Sequence, residues 1–301
     1  MSAPTETETL RTGAPLAFAA LVVGAIAMGI SPIFVRLADV GPFTSAFWRV
    51  FLALPILYLW ALRDEGGRFS RIMDSWLRPA IVAGVFFAGD LFFWHLSILT
   101  TTVANATFFA TMAPVFVLLV VWLFFGERIE RRSVMGLGFC LFGGAMLIGA
   151  SLKIAPERLV GDGYGLITAM FFAGYIIALG IARARGVSAG KASFQLTAVC
   201  AAILFIIAIL FERQFFPASL EGWAAVIALA IVTQVGGQGL LAYALGHLPA
   251  SYSSLVMFLE GIAAAFLGWL VLSEALTLLQ CAGAAMIFYG VFHARPRRTT
   301  A

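Results

Sequence analysis

Charged residues are scarce in this chain. Of its 301 residues, 11% are Asp, Glu, Lys or Arg and 62% are hydrophobic, and the mean hydropathy is +1.00. A soluble domain carries roughly a quarter charged residues. The composition therefore excludes a water-soluble globular fold, and we expect the lipid bilayer to surround the chain.

Cysteine and histidine are also rare, with three of each. Cys140, Cys200 and Cys281 lie in apolar stretches, where cysteine behaves as a small hydrophobic residue, so no disulfide framework, metal site or cofactor is expected. The sequence has no His-Glu-x-x-His motif, no Gly-x-Ser-x-Gly elbow and no P-loop. The glycine-rich GDGYGL at 161–166 follows no predicted strand, and we place it in a loop. An intramembrane enzyme, the alternative of a different class, has no catalytic residues to support it.

Long apolar runs are what the sequence does have. A bilayer core about 30 Å thick needs roughly 20 apolar residues per helix. Ten such windows lie near 16–35, 43–62, 79–98, 102–124, 134–152, 163–182, 192–211, 222–243, 251–272 and 277–293. The alternating strands of an outer-membrane barrel do not occur. The sequence predicts an all-α polytopic membrane protein with ten transmembrane helices.

The two tails and the loops carry the charge. Residues 1–15 contain Ser, Thr and Glu where a cleavable signal has basic residues, so we expect a polar cytoplasmic tail. With that orientation, fourteen Arg and Lys residues fall on the cytoplasmic side and four on the other, and the basic tail 294–301 is also cytoplasmic. Cytoplasmic loops are enriched in Lys and Arg, which predicts a bacterial inner-membrane protein with both termini inside. The same loops explain the pI near 9.2 without a nucleic-acid partner.

The chain resembles itself at an offset of 147 residues. The shift aligns Arg36 with Arg183, Phe47 with Phe194, Trp76 with Trp223, Trp122 with Trp269, Glu127 with Glu274, Gly136 with Gly283 and Gly143 with Gly290. The copies occupy 16–152 and 163–293 and hold five predicted spans each. Because five is odd, the second copy enters the membrane from the opposite side. Inverted repeats of this kind are typical of secondary transporters.

Several segments resemble the EamA family of the drug/metabolite transporter superfamily. They are AFWRVFLALPILYL in the second span, GERIERRSVMGLGFCLFGGAMLI around the fourth and fifth, and ALGHLPASYSSLVMFLEGIAAAFLGWLVLSEALTLLQCAGAAMIFYGV near the C-terminus. The likeness covers nearly the whole chain and is greatest to the YddG-type exporters of aromatic amino acids. It implies a five-plus-five helical transporter. One departure is that Glu260 is followed by Gly261, where the family often has proline, so a kink there is less strongly indicated; Pro114 keeps the proline in the first copy.

Three ionisable residues, Arg49, Asp90 and Glu260, lie inside predicted spans. Such a residue costs about 2.5–3.5 kcal/mol at mid-bilayer on insertion scales, so it faces a cavity or a partner. Arg49 and Asp90 lie at similar depths and either form a structural pair or contact substrate. Glu260 is either an architectural acid at a helix break, or a proton carrier or ligand for a substrate amine.

Other polar groups complete the candidate site. In the eighth span, TQVGGQGLLAY places Gln234, Gln238 and Tyr243 among three glycines, which favours either a broken-helix site or close helix packing. Further candidates with expected inward faces are Ser31, His95, Asn105, Thr107, Tyr175 and Gln195.

The run VFFAGDLFFWH surrounds Asp90 with aromatic residues. An aromatic cavity with few charges suits an amphiphilic zwitterion, whereas sugar phosphates would need several Arg or Lys. We predict an inner-membrane secondary transporter that exports small amphiphilic metabolites by alternating access. Amino acids are the favoured substrates, and aromatic amino acids are favoured among them. The alternative is a multidrug, quaternary-amine or other metabolite exporter, although the first-span glutamate that small superfamily members use for cations is missing. The sequence leaves the coupling ion, the direction and the oligomeric state open.

Overall fold

A computed structural model describes residues 14–73, 76–101, 103–126, 129–149, 156–272 and 277–296. These residues form helices joined by short connections, with no strand among them. Within these ranges, nine helical segments are long and apolar enough to cross a membrane, and a tenth, Leu278–His293, is apolar but shorter. The predicted all-helical, ten-span fold is confirmed.

Each half of the chain contributes five spans. The first half contains α1 and α2 (Ala14–Gly29 and Ser31–Leu37), α3 (Pro42–Asp64), the short α4 (Phe69–Met73), α5 (Arg78–Thr100), α6 and α7 (Val103–Ala110 and Ala113–Phe125) and α8 (Arg131–Ile148). The second half contains α9 (Leu159–Ala184), α10 (Ala189–Phe211), α11 (Leu220–Ala228), a π-helical stretch (Leu229–Gln238), α12 (Gly239–Ala244), α13 and α14 (Ala250–Val256 and Leu259–Leu272) and α15 (Leu278–His293). Four spans consist of more than one helical segment: α1 with α2, α6 with α7, α11 through α12, and α13 with α14. Glu127 and Glu274, which the 147-residue offset aligns, lie outside the described residues.

The glycine-rich segment 161–166 is not a loop, as expected from the sequence, but part of α9. Two of its three glycines serve packing. A Cβ on Gly161 would lie 2.7 Å from the backbone of Thr100, and one on Gly165 would lie 2.8 Å from the Cβ of Phe109. The segment is therefore helical, and its small residues let the sixth span approach the third and fourth.

The observed helix bounds follow the 147-residue offset. α3 begins at Pro42 and ends at Asp64, and α10 begins and ends 147 residues later. The residues that follow α2 and α9 also correspond: Asp39 and Gly186 both have left-handed backbone, with φ of 39° and 81°. The two repeats are therefore similar in local structure as well as in sequence.

Two helix pairs show that the repeats are inverted. α8 packs against α15 so closely that a Cβ on Gly143 would lie 2.6 Å from the carbonyl of Gly283, and one on Gly136 would lie 2.7 Å from that of Gly290. Residues early in one helix therefore meet residues late in the other. At the crossing, the Cys140 thiol approaches the carbonyl of Ile287, 147 positions away, at 3.8 Å. A pseudo-two-fold axis passes between these equivalent residues.

The pair α3 and α10 obeys the same symmetry. Phe47 contacts Phe205 with ring centroids 5.4 Å apart, and the equivalent pair, Tyr58 and Phe194, lies at 5.5 Å. Each helix end also caps the start of its partner. Glu212 accepts hydrogen bonds from the backbone N–H groups of Phe43 and Thr44 at 2.7 and 2.9 Å.

At the other end of this pair, Asp64 accepts from the N–H of Gly190 at 2.9 Å and Glu65 from the Ser188 hydroxyl at 2.9 Å. Carboxylates at helix N-termini satisfy free N–H groups and the helix dipole.

Three spans are interrupted near their centres. The fourth breaks at Thr111 and Met112, and the ninth at the equivalent depth, at Met257 and Phe258. The eighth is π-helical over Leu229–Gln238. The ninth span breaks without a proline after Glu260, so the kink that the sequence indicated less strongly is present. Irregular backbone at membrane depth occurs where it is buried in protein or lines a cavity.

Arg36 and Arg183 lie at opposite ends of the bundle, because five crossings separate the end of α2 from the end of α9. We refer to these as the Arg36 end and the Arg183 end. The beginning of α1 and the end of α15 both lie at the Arg183 end.

Candidate functional site

A cavity lies between the two repeats and receives side chains from both. The space open to the centre of a water molecule is about 80 Å³, enough for several waters. Its polar lining consists of Ser31, Arg49, Asp90, Thr107, Thr111, Thr168, Thr233, Gln238, Ser254 and Glu260. Its apolar lining consists of Met28, Pro32, Leu91, Trp94, Ala110, Ala113, Pro114, Phe172, Met257 and Phe258. The cavity is thus apolar with a few polar and charged groups, as small-molecule sites usually are.

Arg49 lies on α3 and is 5% exposed. Its Nε donates to Oε1 of Gln234 at 3.3 Å, and one terminal nitrogen donates to Oγ of Ser31 at 3.5 Å. The guanidinium also sits over the ring of Phe87, 5.9 Å from the centroid. These partners are neutral, so the positive charge is held in place without being neutralised by contact.

Asp90 lies on α5 and is 8% exposed. The structure describes both Asp90 and Arg49, and no direct ion pair joins them; Arg49 turns to Gln234 and Ser31 instead. The charges still attract each other through space. The structural pair considered from the sequence is therefore not formed in this conformation, and both groups line the cavity.

Glu260 occupies the first turn of α14, directly after the break in the ninth span. Its N–H donates to the carbonyl of Met257 at 3.0 Å, which forms the turn at the break. The N-terminal end of a helix favours a carboxylate through its dipole. The backbone carbonyl of Glu260 faces the first span so closely that a Cβ on Gly29 would lie 2.6 Å from its oxygen. The helix break and this packing place a half-buried carboxylate at the cavity.

The π-helical stretch of the eighth span presents two glutamines. Gln234 holds Arg49 and donates to the Thr197 hydroxyl at 3.2 Å. Gln238 lines the cavity and accepts a hydrogen bond from the Tyr175 hydroxyl at 2.9 Å. This bond to the carbonyl oxygen fixes the side-chain amide and leaves its NH₂ group to donate elsewhere.

The glycines of the eighth span pack closely. A Cβ on Gly24 would lie 3.0 Å from the carbonyl of Gly237, and one on Gly239 would lie 2.8 Å from the Trp60 ring. The eighth span therefore shows the close helix packing that its glycines favour, since it packs on the first and second spans. The same stretch also lines the cavity through Thr233 and Gln238.

Four polar residues of the cavity wall, Thr111, Thr168, Thr233 and Ser254, were not identified from the sequence. The hydroxyls of Thr168 and Thr233 are buried and have no hydrogen-bond partner among the residues that the structure describes. Buried polar atoms usually have a partner, so these hydroxyls are available to a ligand. Threonine is common in apolar helices, and nothing in the spacing distinguished these two.

The other candidates divide by position. Ser31 and Thr107 line the cavity, and Tyr175 lies behind it, packed on Phe87 and Phe172 with centroids 4.9 and 5.7 Å away. Four predicted residues lie away from the cavity lining: His95, Asn105, Gln195 and Tyr243.

Each of these four has contacts outside the cavity, although Nε2 of His95 is buried without a hydrogen-bond partner among the described residues. Nδ1 of His95 lies 2.6 Å from the carbonyl of Leu91. Asn105 donates to the buried carboxylate of Asp162 at 2.9 Å, and Gln195 donates to the carbonyl of Ile72 at 3.0 Å. Tyr243 lies near the Arg183 end, with its ring 4.8 Å from that of His247. Within the described ranges, no group of three or more His, Cys, Asp or Glu is placed to hold a metal ion.

Comparisons with known proteins agree with this architecture. The sequence profile of the EamA-like transporter family matches twice, at residues 15–149 and 159–294. A pseudopaline exporter of Pseudomonas aeruginosa is 28% identical over 243 residues, covering 80% of this chain and 81% of that protein. An uncharacterized transporter of Archaeoglobus fulgidus is 26% identical over 275 residues, covering 91% and 94%.

A solved crystal structure superimposes with a TM-score of 0.77 at 21% identity, covering 92% of this chain and 98% of the other, and so shares the fold. Its described residues contain nine helices of membrane-spanning length and a shorter apolar tenth, arranged as two inverted repeats around a cavity, and the profile matches both halves, so this multi-pass membrane protein belongs to the EamA-like transporter family.

Proposed function

We propose that this protein exports small amphiphilic, amino-acid-like metabolites across the bacterial inner membrane by alternating access, with both termini in the cytoplasm. The supporting observation is the composition of the cavity: one guanidinium, two carboxylates and an apolar wall of aromatic and aliphatic groups. The pseudopaline exporter among its relatives supports metabolite export as the activity.

The charged groups divide into two kinds of contact. Arg49 can bind a substrate carboxylate, because a guanidinium matches carboxylate geometry and is already oriented by Gln234 and Ser31. Asp90 and Glu260 can bind an ammonium group. Phe172 and Trp94 offer apolar contact for a side chain.

The inverted repeats supply the transport mechanism. Two halves related by a pseudo-two-fold axis can exchange conformations, so that the cavity opens to either side in turn. The substrate is then bound at the centre by groups that are accessible from one side at a time. No chemical change to the substrate is required.

A second candidate is supported by the charge balance. With two carboxylates against one guanidinium, the cavity has an excess of acidic groups when all three are ionised. Such a cavity would also bind an organic cation without a carboxylate. A quaternary-amine or multidrug exporter is therefore the alternative that the same residues favour.

Counterflow in proteoliposomes tests the proposal. Vesicles preloaded with an unlabelled amino acid should accumulate the labelled one, with saturation and with competition by Phe or Trp. Competition by tetraalkylammonium ions but not by any amino acid would support the second candidate instead. Absence of counterflow for either class, in protein shown to be folded, would contradict both.

A further inference from the structure

Arg36 and Arg183 are equivalent residues of the two repeats, but their surroundings differ. Each lies three residues before the left-handed residue that follows its helix, Asp39 or Gly186. Arg183 is half-buried, and its Nε donates to the carbonyl of Ala242 at 2.8 Å. Arg36 is exposed and makes no side-chain hydrogen bond to any residue that the structure describes.

The bond from Arg183 joins the sixth span to the eighth. Ala242 lies in the last turn of α12, where carbonyls lack partners within the helix. The N–H of Gly246, which would reach that carbonyl in a continued helix, donates to Tyr243 instead. Gly246 also leaves room for the guanidinium, because a Cβ there would lie 2.3 Å from one of its nitrogens. The Arg183 side chain further donates to the carbonyl of Val187.

The cavity lining differs between the two ends of the bundle. Pro32 and Trp94 line the cavity on the side of the Arg36 end, whereas their equivalents in the second repeat, Leu179 and Leu241, are fully buried and do not line it. The same asymmetry holds for whole elements. α13 packs against α7 and α9 at the Arg183 end, but α6 makes at most marginal contact with α14 and α1 in the described part of the chain.

We propose that Arg183 and Arg36 are alternating latches. Arg183 holds the Arg183 end shut in this conformation. In the opposite conformation, Arg36 binds backbone carbonyls in the last turns of α5, around His95, while Arg183 is released. The repeat offset that takes Arg183 to Arg36 also takes Ala242 to His95, so the exchange of conformations supplies Arg36 with the equivalent partner.

The inference rests on the alternating-access part of the proposed function, and its test needs no substrate. A negative labelling result therefore contradicts the latch and not the proposed substrate, whereas a negative counterflow result contradicts the proposed substrate and not the latch. The test measures the rate at which a maleimide labels a single cysteine at each end, in a Cys281→Ser background that removes the exposed native thiol. Leu179→Cys reports opening of the Arg183 end, and Pro32→Cys reports opening of the Arg36 end.

Arg183→Ala is expected to raise the labelling rate of Leu179→Cys roughly tenfold and to lower that of Pro32→Cys, because losing a charge-assisted hydrogen bond shifts the two-state equilibrium. Arg36→Ala is expected to shift both rates in the opposite direction. A merely structural arginine would not produce opposite shifts in the two variants.

Arg185→Ala is the matched control, since Arg185 lies at the same end, carries the same charge and is exposed. Equal labelling in Arg183→Ala and Arg185→Ala would overturn the proposal, as would shifts in the same direction for Arg183→Ala and Arg36→Ala. Cys140 and Cys200 are buried and report folding, because an unfolded protein labels both. If Arg183→Ala exposes these two cysteines, Arg183→Lys is used in its place. Arg183→Lys is expected to shift the labelling rates in the same direction by a smaller amount, and unchanged labelling rates would contradict the latch.

Discussion

The charged groups of the cavity do not follow the symmetry of the fold. One repeat offset takes Arg49 to Leu196, Asp90 to Gly237 and Glu260 back to Ala113. Each charge therefore occurs in only one copy. The pseudo-two-fold axis relates the backbones, while the charged groups of the cavity are asymmetric, as the proposed zwitterionic substrate would require.

Charge in an apolar run is the part of the site that sequence could identify. Arg49, Asp90 and Glu260 were predicted because an ionisable group inside a span needs a partner or a cavity, and all three line the cavity. Neutral polar residues carry a smaller penalty, which a hydrogen bond to a neighbouring segment offsets. Asn105 and Gln195 bond to neighbouring segments instead of facing the cavity, and only the packing of the whole bundle decides between these uses.

Tyr175→Phe is predicted to weaken substrate binding without changing the fold. The hydroxyl orients Gln238 at the cavity, and a neutral hydrogen bond is worth about 0.5–1.5 kcal/mol. We expect KM in proteoliposome transport to rise about fivefold, with a small loss of thermal stability in detergent. Tyr243→Phe is the control, because Tyr243 lies away from the cavity lining, and equal KM values for the two variants would contradict the assignment.

At the scale of elements, small residues set how closely helices approach. Gly143 and Gly283 let α8 and α15 cross at the pseudo-two-fold axis. The sequence pointed to these glycines through the repeat, since each aligned with an equivalent glycine. It could not show that residues early in one helix meet residues late in the other, because that depends on antiparallel packing of two segments more than a hundred residues apart.

Gly143→Ala is predicted to destabilise the protein although alanine favours helix. Its Cβ would lie 2.6 Å from the carbonyl of Gly283, and overpacking costs about 1–3 kcal/mol. Gly138→Ala in the same helix is the matched control, because nothing lies within 4 Å of a Cβ there. Thermal unfolding in detergent should show a lower midpoint for Gly143→Ala and an unchanged or higher one for Gly138→Ala, and similar midpoints would argue against tight packing at this crossing.

The interrupted spans show what sequence could and could not anticipate at this scale. Pro114 marks the break in the fourth span, since proline removes a helix hydrogen bond. The ninth span breaks at the same depth with Gly261 in the equivalent position, so the break follows the architecture of the repeat and not the proline alone.

At the scale of the whole molecule, the fold was largely readable from the sequence. Apolar length fixed the number of spans, and a constant offset with an odd number of spans per copy predicted inversion. The difference in packing between the two ends of the cavity was not readable, because the two repeats have similar sequences but pack differently in this conformation.

The orientation of the bundle is predicted from the distribution of charge. The Arg183 end should face the cytoplasm, since the predicted loops at that end carry most of the Lys and Arg residues. A fluorescent protein fused to the C-terminus should fluoresce in cells, and an alkaline phosphatase fusion at the same point should be inactive. The reverse pattern would contradict the predicted orientation.

We propose that the cavity between the repeats recognises an amino-acid-like zwitterion, with Arg49 bound to its carboxylate. The most direct test compares competition by an amino acid and by the corresponding amine without a carboxylate, in parent and Arg49→Ala proteins. Competition by the amino acid should weaken at least tenfold in Arg49→Ala, in line with the loss of a hydrogen bond to a charged group, while competition by the amine stays the same. Equal losses of competition by the amino acid and by the amine, in folded protein, would contradict this role of Arg49.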